Sequence, residues 1–262
     1  RALLSSDGGN NNTAVGYNAG VSITTGGQNV MMGVNTLLSL TTGSNNVAIG
    51  HQALEDITTN GGCTAVGYQA LLENTGSNNT GIGYQALKNN TTGYYNVALG
   101  LQSLAFNTTG VQNTAVGYQA LDANTTASGN TAVGYDCLSA VTTNTGLTAV
   151  GYRALAASNG GNNNTAVGYN AGVVISTGGQ NVMMGVNTLV SCTTGGQNTA
   201  IGHQALEDIT TNGGCTAVGY QALLDNTQSN NTGLGYQALR LNTTGGQNVA
   251  VGLQAGNVNT TG

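Results

Sequence analysis

Short alternating apolar segments recur along the whole chain, and each is closed by a Gly. The phrase N-[TV]-A-[VIL]-G, continued by [YHLV]-[QN]-A-L, returns fifteen times with variations, at steps of 17 residues except for two steps of 16. A short constant period is typical of solenoids, in which each repeat packs only against its neighbours. We number each coil from its closing Gly as position 0, and these residues are Gly16, Gly33, Gly50, Gly67, Gly83, Gly100, Gly117, Gly134, Gly151, Gly168, Gly185, Gly202, Gly219, Gly235 and Gly252.

The residues before each position 0 predict a short β-strand. Position −3 is Thr or Val and position −1 is Val, Ile, Leu or Met, as in Thr114 and Val116, and this alternation is typical of a strand. The other face carries mostly Asn at −4, Ala at −2 and Gly at 0, so both faces are small or apolar. Position +4 is Leu in twelve coils, and its three exceptions are Gly20, Gly172 and Gly256.

Position +7 is mainly apolar or Asn, and the two kinds come in blocks. Blocks are expected if equivalent positions stack directly above one another, because an Asn stacked on an Asn can pass side-chain amide hydrogen bonds along the column. The sequence therefore predicts buried amide ladders. The Asn blocks are Asn74, Asn90, Asn107 and Asn124, and then Asn226, Asn242 and Asn259.

The turn that closes each coil is typically Thr-Thr-Gly at positions +8 to +10. We expect this Gly to supply the left-handed backbone that a tight corner requires. Both 16-residue coils lose a residue here, which keeps the strands in register. The predicted fold is all-β, a parallel β-solenoid of about 15 coils of 17 residues. Helical repeats fit poorly, because a two-helix repeat needs more than about 30 residues and Gly, Asn and Thr are weak helix formers.

A longer repeat of 152 residues relates residues 1–110 to residues 153–262, with 88 of 110 positions identical. The chain is therefore interpreted as a single β-solenoid segment, residues 1–262, which holds one long repeat at 1–152 and part of a second at 153–262. It begins and ends inside a coil without the polar caps that solenoids need. We expect the segment to belong to a longer protein.

Composition argues against several classes of protein. Hydrophobic residues make up 39% of the chain and recur in register, which argues against a disordered tract although only 5% of residues are charged. The four basic residues are scattered and the net charge is −5, so no nucleic acid is expected as a partner. No apolar run approaches the roughly 18 to 20 residues of a membrane helix, so this segment is not expected to insert into a membrane.

The cysteines do not predict a metal, cofactor or disulfide site. No two of them occupy the same position in adjacent coils, so buried unpaired thiols are expected. The sequence contains no C-x-x-C motif, no paired His and no calcium-binding repeat. The cysteines are Cys63 and Cys215 at position −4, Cys137 at +3 and Cys192 at +7.

The titratable residues do not predict catalysis either. His51 and His203 are copies of one +1 position at which nine other coils have Tyr, and they are interpreted as packing or surface variants. The acidic pairs at residues 55–56 and 207–208 are copies at +5 and +6. Adjacent residues on one strand face opposite ways, so these pairs are interpreted as solvated charges. No catalytic residue is assigned, and the chain is not expected to be an enzyme.

Two further columns leave alternatives open. The Tyr column at +1, which includes Tyr135, Tyr152 and Tyr169, suits a core, a contact between subunits or a sugar-stacking face. Contact between subunits is preferred, because Tyr favours a half-wet interface. Thr or Ser at +8 in fourteen coils forms a ladder of the kind that an ice-binding face would use. Its neighbour at +9 is often Thr too, and adjacent residues on a strand face opposite ways, which leaves one exposed column.

The phrases NTAVG at 113–117 and NVAIG at 46–50, the first continued by YQAL at 118–121, resemble head repeats of trimeric autotransporter adhesins. They resemble repeats of phage tail-fibre proteins equally well, and the resemblance covers essentially the whole chain. It implies a left-handed parallel β-roll with three chains side by side. It also implies a place on a bacterial or virion surface, in contact with a host glycan or protein.

The sequence therefore favours a structural and adhesive shaft of an extracellular, cell-surface or virion-surface fibre. Self-association into a homotrimer or filament is expected, because a 17-residue coil cannot bury every small or apolar column by itself. The alternative function is an ice-binding β-solenoid that uses the Thr ladder. A glycan-cleaving tailspike would need paired carboxylates outside the repeat pattern, and the sequence shows none.

Overall fold

The structure is a computed structural model that describes residues 2–4 and 9–260. Backbone packing divides the chain into two compact units, Arg1–Asn130 and Thr131–Gly262. The described residues contain no helix, and each paired strand runs parallel to its neighbour. The prediction of an all-β parallel β-solenoid is confirmed, with one three-residue strand in each of the fifteen coils.

In the first unit, seven strands pair in chain order, each with the next along the chain. The pairing is in register, with Thr13 opposite Val30 and Val15 opposite Met32. Equivalent positions of consecutive coils therefore lie directly beside one another. The strands are β1 (Thr13–Val15), β2 (Val30–Met32), β3 (Val47–Ile49), β4 (Thr64–Val66), β5 (Thr80–Ile82), β6 (Val97–Leu99) and β7 (Thr114–Val116).

In the second unit, eight three-residue strands pair in the same register, with Thr165 opposite Val182. Two shorter strands at positions +6 and +7 of their coils pair with each other. The strands are β8 (Thr131–Val133), β9 (Thr148–Val150), β10 (Thr165–Val167), β11 (Val182–Met184), β12 (Thr199–Ile201), β13 (Thr216–Val218), β14 (Thr232–Leu234), β15 (Leu241–Asn242), β16 (Val249–Val251) and β17 (Val258–Asn259).

The core of each unit is a set of parallel columns at positions −4, −2, +3, +4 and +7. Ala98, Leu104 and Asn107, which stand at −2, +4 and +7, are fully buried. A coil of 17 residues encloses only one side chain per column, so each buried group packs largely against its equivalents one coil away. The register of the stack therefore decides every contact in the core.

Asn at position −4 forms an amide ladder that the sequence analysis did not predict. The Asn113 Nδ2 donates hydrogen bonds to the Oδ1 of Asn96 at 3.2 Å and to the carbonyl of Ala127 at 2.8 Å. The backbone N–H of Asn113 donates to the same Oδ1 at 3.0 Å. Each Asn thus satisfies a buried backbone group in the next coil and a carbonyl at the corner. The second unit repeats the arrangement, with Asn181 on Asn164.

The predicted Asn ladder at +7 is confirmed. The Asn107 Nδ2 donates to the Oδ1 of Asn90 at 2.6 Å and to the carbonyl of Gly110 at 3.0 Å. The Asn124 Nδ2 donates in turn to the Oδ1 of Asn107 at 2.6 Å. These amides are buried. Asn90 and Asn107 find partners in the coil before, the coil after and their own corner, while the Oδ1 of Asn124, at the end of the block, has no partner among the described residues. The second unit has the same contact between Asn242 and Asn226 at 2.8 Å.

The left-handed conformations do not lie where they were predicted. Positive φ angles occur at −5, +2 and +4, as in Gln112 at 58°, Gln119 at 49° and Leu121 at 55°. They also occur at the Gly of position 0, as in Gly117 at 136°, whereas the corner Gly of +10 does not have one. The corner needs Gly for a different reason, because a Cβ on Gly26 would lie 2.3 Å from the carbonyl oxygen of Gly43 in the next coil. Close approach of consecutive coils therefore selects Gly at the corner.

The residue at +4 is matched in size to the residue at −2 of the following coil. Leu71 lies beside Gly81, whose Cβ would be 3.1 Å from the Leu71 Cγ. Gly172 is instead followed by Met183, and the Met183 Sδ lies 2.4 Å from the position that a Gly172 Cβ would take. The Met side chain therefore fills the space that Leu occupies in other coils. The same pairing occurs in the first unit between Gly20 and Met31.

We predict that replacing Asn107 by Leu costs about 2–4 kcal/mol of stability, since it strips partners from the Asn90 Oδ1, the Asn124 Nδ2 and the Gly110 carbonyl. Ile57→Val in the same column and unit is the matched control and should cost about 0.5–1.5 kcal/mol. Urea denaturation followed by circular dichroism measures both. Equal losses would show that the ladder contributes nothing beyond packing.

A double-mutant cycle tests the size matching in the second unit. Met183→Ala should cost about 2–5 kcal/mol by leaving a cavity, and Gly172→Leu should cost about 1–3 kcal/mol by overpacking. The double variant recreates the arrangement of Leu189 beside Ala200, so we predict that it is more stable than either single variant. Additive losses in the double variant would contradict the pairing.

Candidate functional site: the outward face of the strands

The strand face consists of the side chains at positions −3, −1 and +1, which point away from the core of each unit. Alternation along a strand sends the −2 side chain inward and its two neighbours outward. The burial of the strands follows this rule, since their central residues are buried or half-buried while the outer residues are more open. Leu99 and Met184, both at −1, remain 44% exposed.

The strand face carries no Lys, Arg, Asp or Glu in any of the fifteen coils. Its residues are Thr or Val at −3, an aliphatic residue or Met at −1, and Tyr, His, Val or Leu at +1. Tyr135, Tyr152 and Tyr169 are 42–49% exposed. A Tyr side chain presents roughly 150–250 Å², so these three rings alone leave about 200–300 Å² open. The −3 and −1 residues, which are also half-buried or exposed, extend this uncharged surface along each unit.

The Tyr column at +1 consists of rings stacked upon one another. Tyr152 lies with its ring centroid 5.3 Å from Tyr135 at an interplanar angle of 9°, and 5.0 Å from Tyr169 at 8°. Each ring face is covered by the ring of the next coil, and the edges and hydroxyls remain open. Of the three interpretations left open by the sequence, sugar stacking on these faces is therefore sterically disfavoured. The exposure of the rings also argues against a simple core role.

The two histidines belong to the same stacked column. His51 stacks on Tyr68 at 5.5 Å and His203 on Tyr220 at 5.4 Å, each with an interplanar angle of 13°. The two copies thus have the same surroundings in both units. This geometry favours the interpretation of both residues as packing variants of Tyr.

An amide column at +2 borders the strand face. The Gln85 Nε2 donates to the Oε1 of Gln69 at 2.9 Å, and Gln237 donates to Gln221 at the same distance. The column also contains the ion pair between Arg153 and Asp136, whose Nε and Oδ2 are 3.4 Å apart. The Gln amides of this border satisfy one another along the column, whereas the buried Oδ1 atoms of Asn170 and Asn187, also at +2, have no hydrogen-bond partner in the part of the chain that the structure describes.

Most hydroxyl protons of the Thr ladder at +8 are engaged within the chain. The Thr91 Oγ1 donates to the backbone carbonyl of Thr108 at 2.9 Å, and the Thr108 Oγ1 donates to the carbonyl of Thr125 at 2.9 Å. Thr193 donates to Thr210 in the same way at 3.2 Å. A hydroxyl has a single proton, so these groups can offer only lone pairs to a ligand or to ice.

All four cysteines are buried and unpaired, as the sequence predicted. Burial raises the pKa of Cys137 to about 12 and that of Cys192 to about 11. Burial also raises the pKa values of Cys63 and Cys215. A protonated, buried thiol is a poor nucleophile and a poor metal ligand. Within residues 2–4 and 9–260, no three His, Cys, Asp or Glu side chains are grouped so that they could hold a metal ion.

The acidic residues at +5 and +6 lie in turns, so the alternation rule for strands does not apply to them. Asp208 instead contacts Asp225, which holds the same position in the next coil. Burial, a hydrogen bond with Asp208 and the charge of Asp208 together raise the pKa of Asp225, while Arg240 opposes the shift. Burial and the charge of Asp208 also raise the pKa of Glu207. The sequence analysis did not predict that carboxylates of consecutive coils would lie beside one another.

Comparison with known protein families and with curated proteins gave no match to this chain. Over the described part of the chain, no helix is long and apolar enough to cross a membrane.

The raised pKa of Asp225 predicts the direction of a pH dependence. A carboxyl whose pKa is higher in the folded state costs stability when it is ionised, so the cost is present at neutral pH and disappears as the pH falls through the folded pKa. Asp225→Asn should therefore raise the thermal midpoint at neutral pH and flatten its rise on mild acidification. Ser191→Ala, at the same position two coils earlier, is the control. Parallel pH curves for wild type and Asp225→Asn would refute the repulsion.

Proposed function

We propose that this chain is a segment of the structural and adhesive shaft of an extracellular or virion-surface fibre, and that it performs no catalysis. The observation that carries the proposal is the strand face, an uncharged and largely apolar surface repeated in every coil of both units. A face of this kind is disfavoured in water, and its coverage by other copies of the chain removes the penalty.

Three copies arranged around one axis are the proposed assembly. Identical parallel chains present the same columns to one another, so each copy buries its strand face and no odd surface remains. The resemblance of the repeats to adhesin heads and tail fibres also supports an assembly of three chains. The bonded Gln amides of the +2 column would lie at the border of such an interface, where polar groups tolerate water.

The ice-binding alternative receives less support from the same geometry. Its Thr ladder has hydroxyl protons donated to the chain itself, as at Thr91 and Thr108. The exposed strand columns carry bulky Tyr side chains at +1, such as Tyr152, which break a flat surface. The self-associating shaft therefore remains the function that the geometry supports best.

We predict that the chain sediments as a trimer at micromolar concentration and that Leu99→Lys combined with Met184→Lys dissociates it. Both side chains stand at −1 on the strand face, so the two charges disrupt the interface without entering the core. Phe106→Lys combined with Val174→Lys is the matched control, because both residues are exposed and apolar but stand at +6, off the strand face. The control variant should remain a trimer.

Analytical ultracentrifugation distinguishes the outcomes. A stable wild-type monomer would refute self-association, and a dimer would refute the threefold arrangement. If the wild type is a monomer and shows thermal hysteresis, the result would support ice binding as its function instead.

A further inference from the structure

A notch interrupts the corner of the first unit at its 16-residue coil. This coil lacks the residue at +9, so the exposed Thr column loses one member between Thr59 and Thr92. Gly76 forms the buried floor at that point. The resulting notch has a volume of about 360 Å³, which lies at the lower end of the range for small-molecule sites. It is at the corner and not on the strand face.

The wall of the notch is formed by Tyr94 and Tyr95, which depart from the repeat pattern. They occupy positions −6 and −5, where the other coils carry Gly, Ser, Asn, Thr, Val or Gln. Tyr95 has a φ angle of 58°, a backbone conformation that disfavours a bulky side chain. Tyr94 and Tyr95 are 47% and 56% exposed, so neither ring is held there by burial in the core.

The geometry of this pair differs from that of the stacked Tyr column. Tyr94 and Tyr95 meet edge to face, with centroids 5.2 Å apart and an interplanar angle of 78°. An edge-to-face pair leaves ring faces that are not covered by a parallel neighbour. In the +1 column, by contrast, rings such as Tyr68 and Tyr84 lie at 12° and cover one another. The notch therefore offers aromatic faces that the strand face does not.

The rest of the notch is polar and uncharged. Thr75, Ser77, Asn78 and Thr92 bring hydroxyl and amide groups to its lining, and none of its lining residues carries a charge. Neutral hydroxyl and amide groups suit a ligand with many hydroxyls, while an aromatic face suits a patch of C–H groups. Acidic ligands would find no cation there to pair with.

We propose that this notch binds a neutral saccharide, with one sugar ring packed on the Tyr94 and Tyr95 pair and its hydroxyls bonded to the Thr, Ser and Asn groups. The site goes beyond the proposed shaft function and does not depend on the oligomeric state. The second long repeat supplies an internal comparison. Its equivalent positions are Gly246 and Gln247 in place of the two tyrosines, and Gln228 in place of Gly76.

The experiment uses saturation-transfer NMR with the full chain and three neutral probes: cellotriose, mannotriose and triacetylchitotriose. At least one probe should bind saturably in the millimolar range. The variant Tyr94→Gly with Tyr95→Gln should weaken that binding by about tenfold or more, because it removes the aromatic anchor. Both substitutions introduce the residues that stand at the equivalent positions of the second long repeat, so we expect the variant to fold. Circular dichroism checks this.

A gain-of-function variant completes the test. Gln228→Gly with Gly246→Tyr and Gln247→Tyr, made in the variant that lacks the first site, should restore saturable binding. The absence of binding by wild type to all three probes would overturn the proposal, as would undiminished binding by the Tyr94→Gly, Tyr95→Gln variant. Binding of a sulfated disaccharide in preference to the neutral probes would overturn the assignment to neutral sugars. Sedimentation of the same variants tests the self-association proposed for the shaft separately. A negative result for saccharide binding can therefore be distinguished from a negative result for self-association.

Discussion

The structure depends on one constraint: the buried Asn columns find most of their hydrogen-bond partners in the neighbouring coils. A coil of 17 residues is too small to satisfy its own interior amides, so the Asn side chains at −4 and +7 use the coils before and after them. A shift of the stack by one residue would break both ladders and would place the strand face inward. The strand register therefore aligns the Asn side chains for hydrogen bonding, and these hydrogen bonds in turn stabilise that register along each unit.

This constraint explains why some features could be predicted from the sequence and others could not. The +7 ladder was visible because the column changes between Asn and apolar residues in blocks, and such contrast reveals stacking. The −4 column is Asn in twelve of fifteen coils, so it offered no contrast, and its amide ladder was missed. The pairing of Gly172 with Met183 could have been found, since Met occurs at −2 only after a coil with Gly at +4.

Other features were beyond the reach of sequence patterns for physical reasons. A buried Leu with a positive φ angle, such as Leu104 at 53°, contradicts the ordinary preference of its residue type. The buried contacts that this backbone conformation allows the Leu side chain to make offset its conformational cost. Those contacts come from neighbouring coils, so the preference of the residue type alone does not predict them. The contact of Asp208 with Asp225 likewise depends on turns in adjacent coils, and the rule for strands was misleading there.

The same constraint separates two surfaces with different chemistry. Within each unit, register places the −3 and −1 side chains of successive strands side by side on an uncharged face. Beside them the Tyr rings at +1 cover one another and leave their edges open. The missing residue of the short coil makes a notch at the corner, and the +7 ladder continues past it from Asn74 to Asn90. A repeat protein of this design can thus keep one surface for its own copies and vary another for a ligand.

The most direct test of the account compares tyrosines of the two surfaces in the assembled protein. Tyr84 on the strand face and Tyr94 at the notch are both 47% exposed in a single chain. Hydroxyl-radical footprinting read by mass spectrometry measures how fast each ring reacts. The account predicts that Tyr84 is protected several-fold relative to Tyr94, because other copies cover the strand face. Equal reaction of the two rings at concentrations where the chain is associated would contradict it.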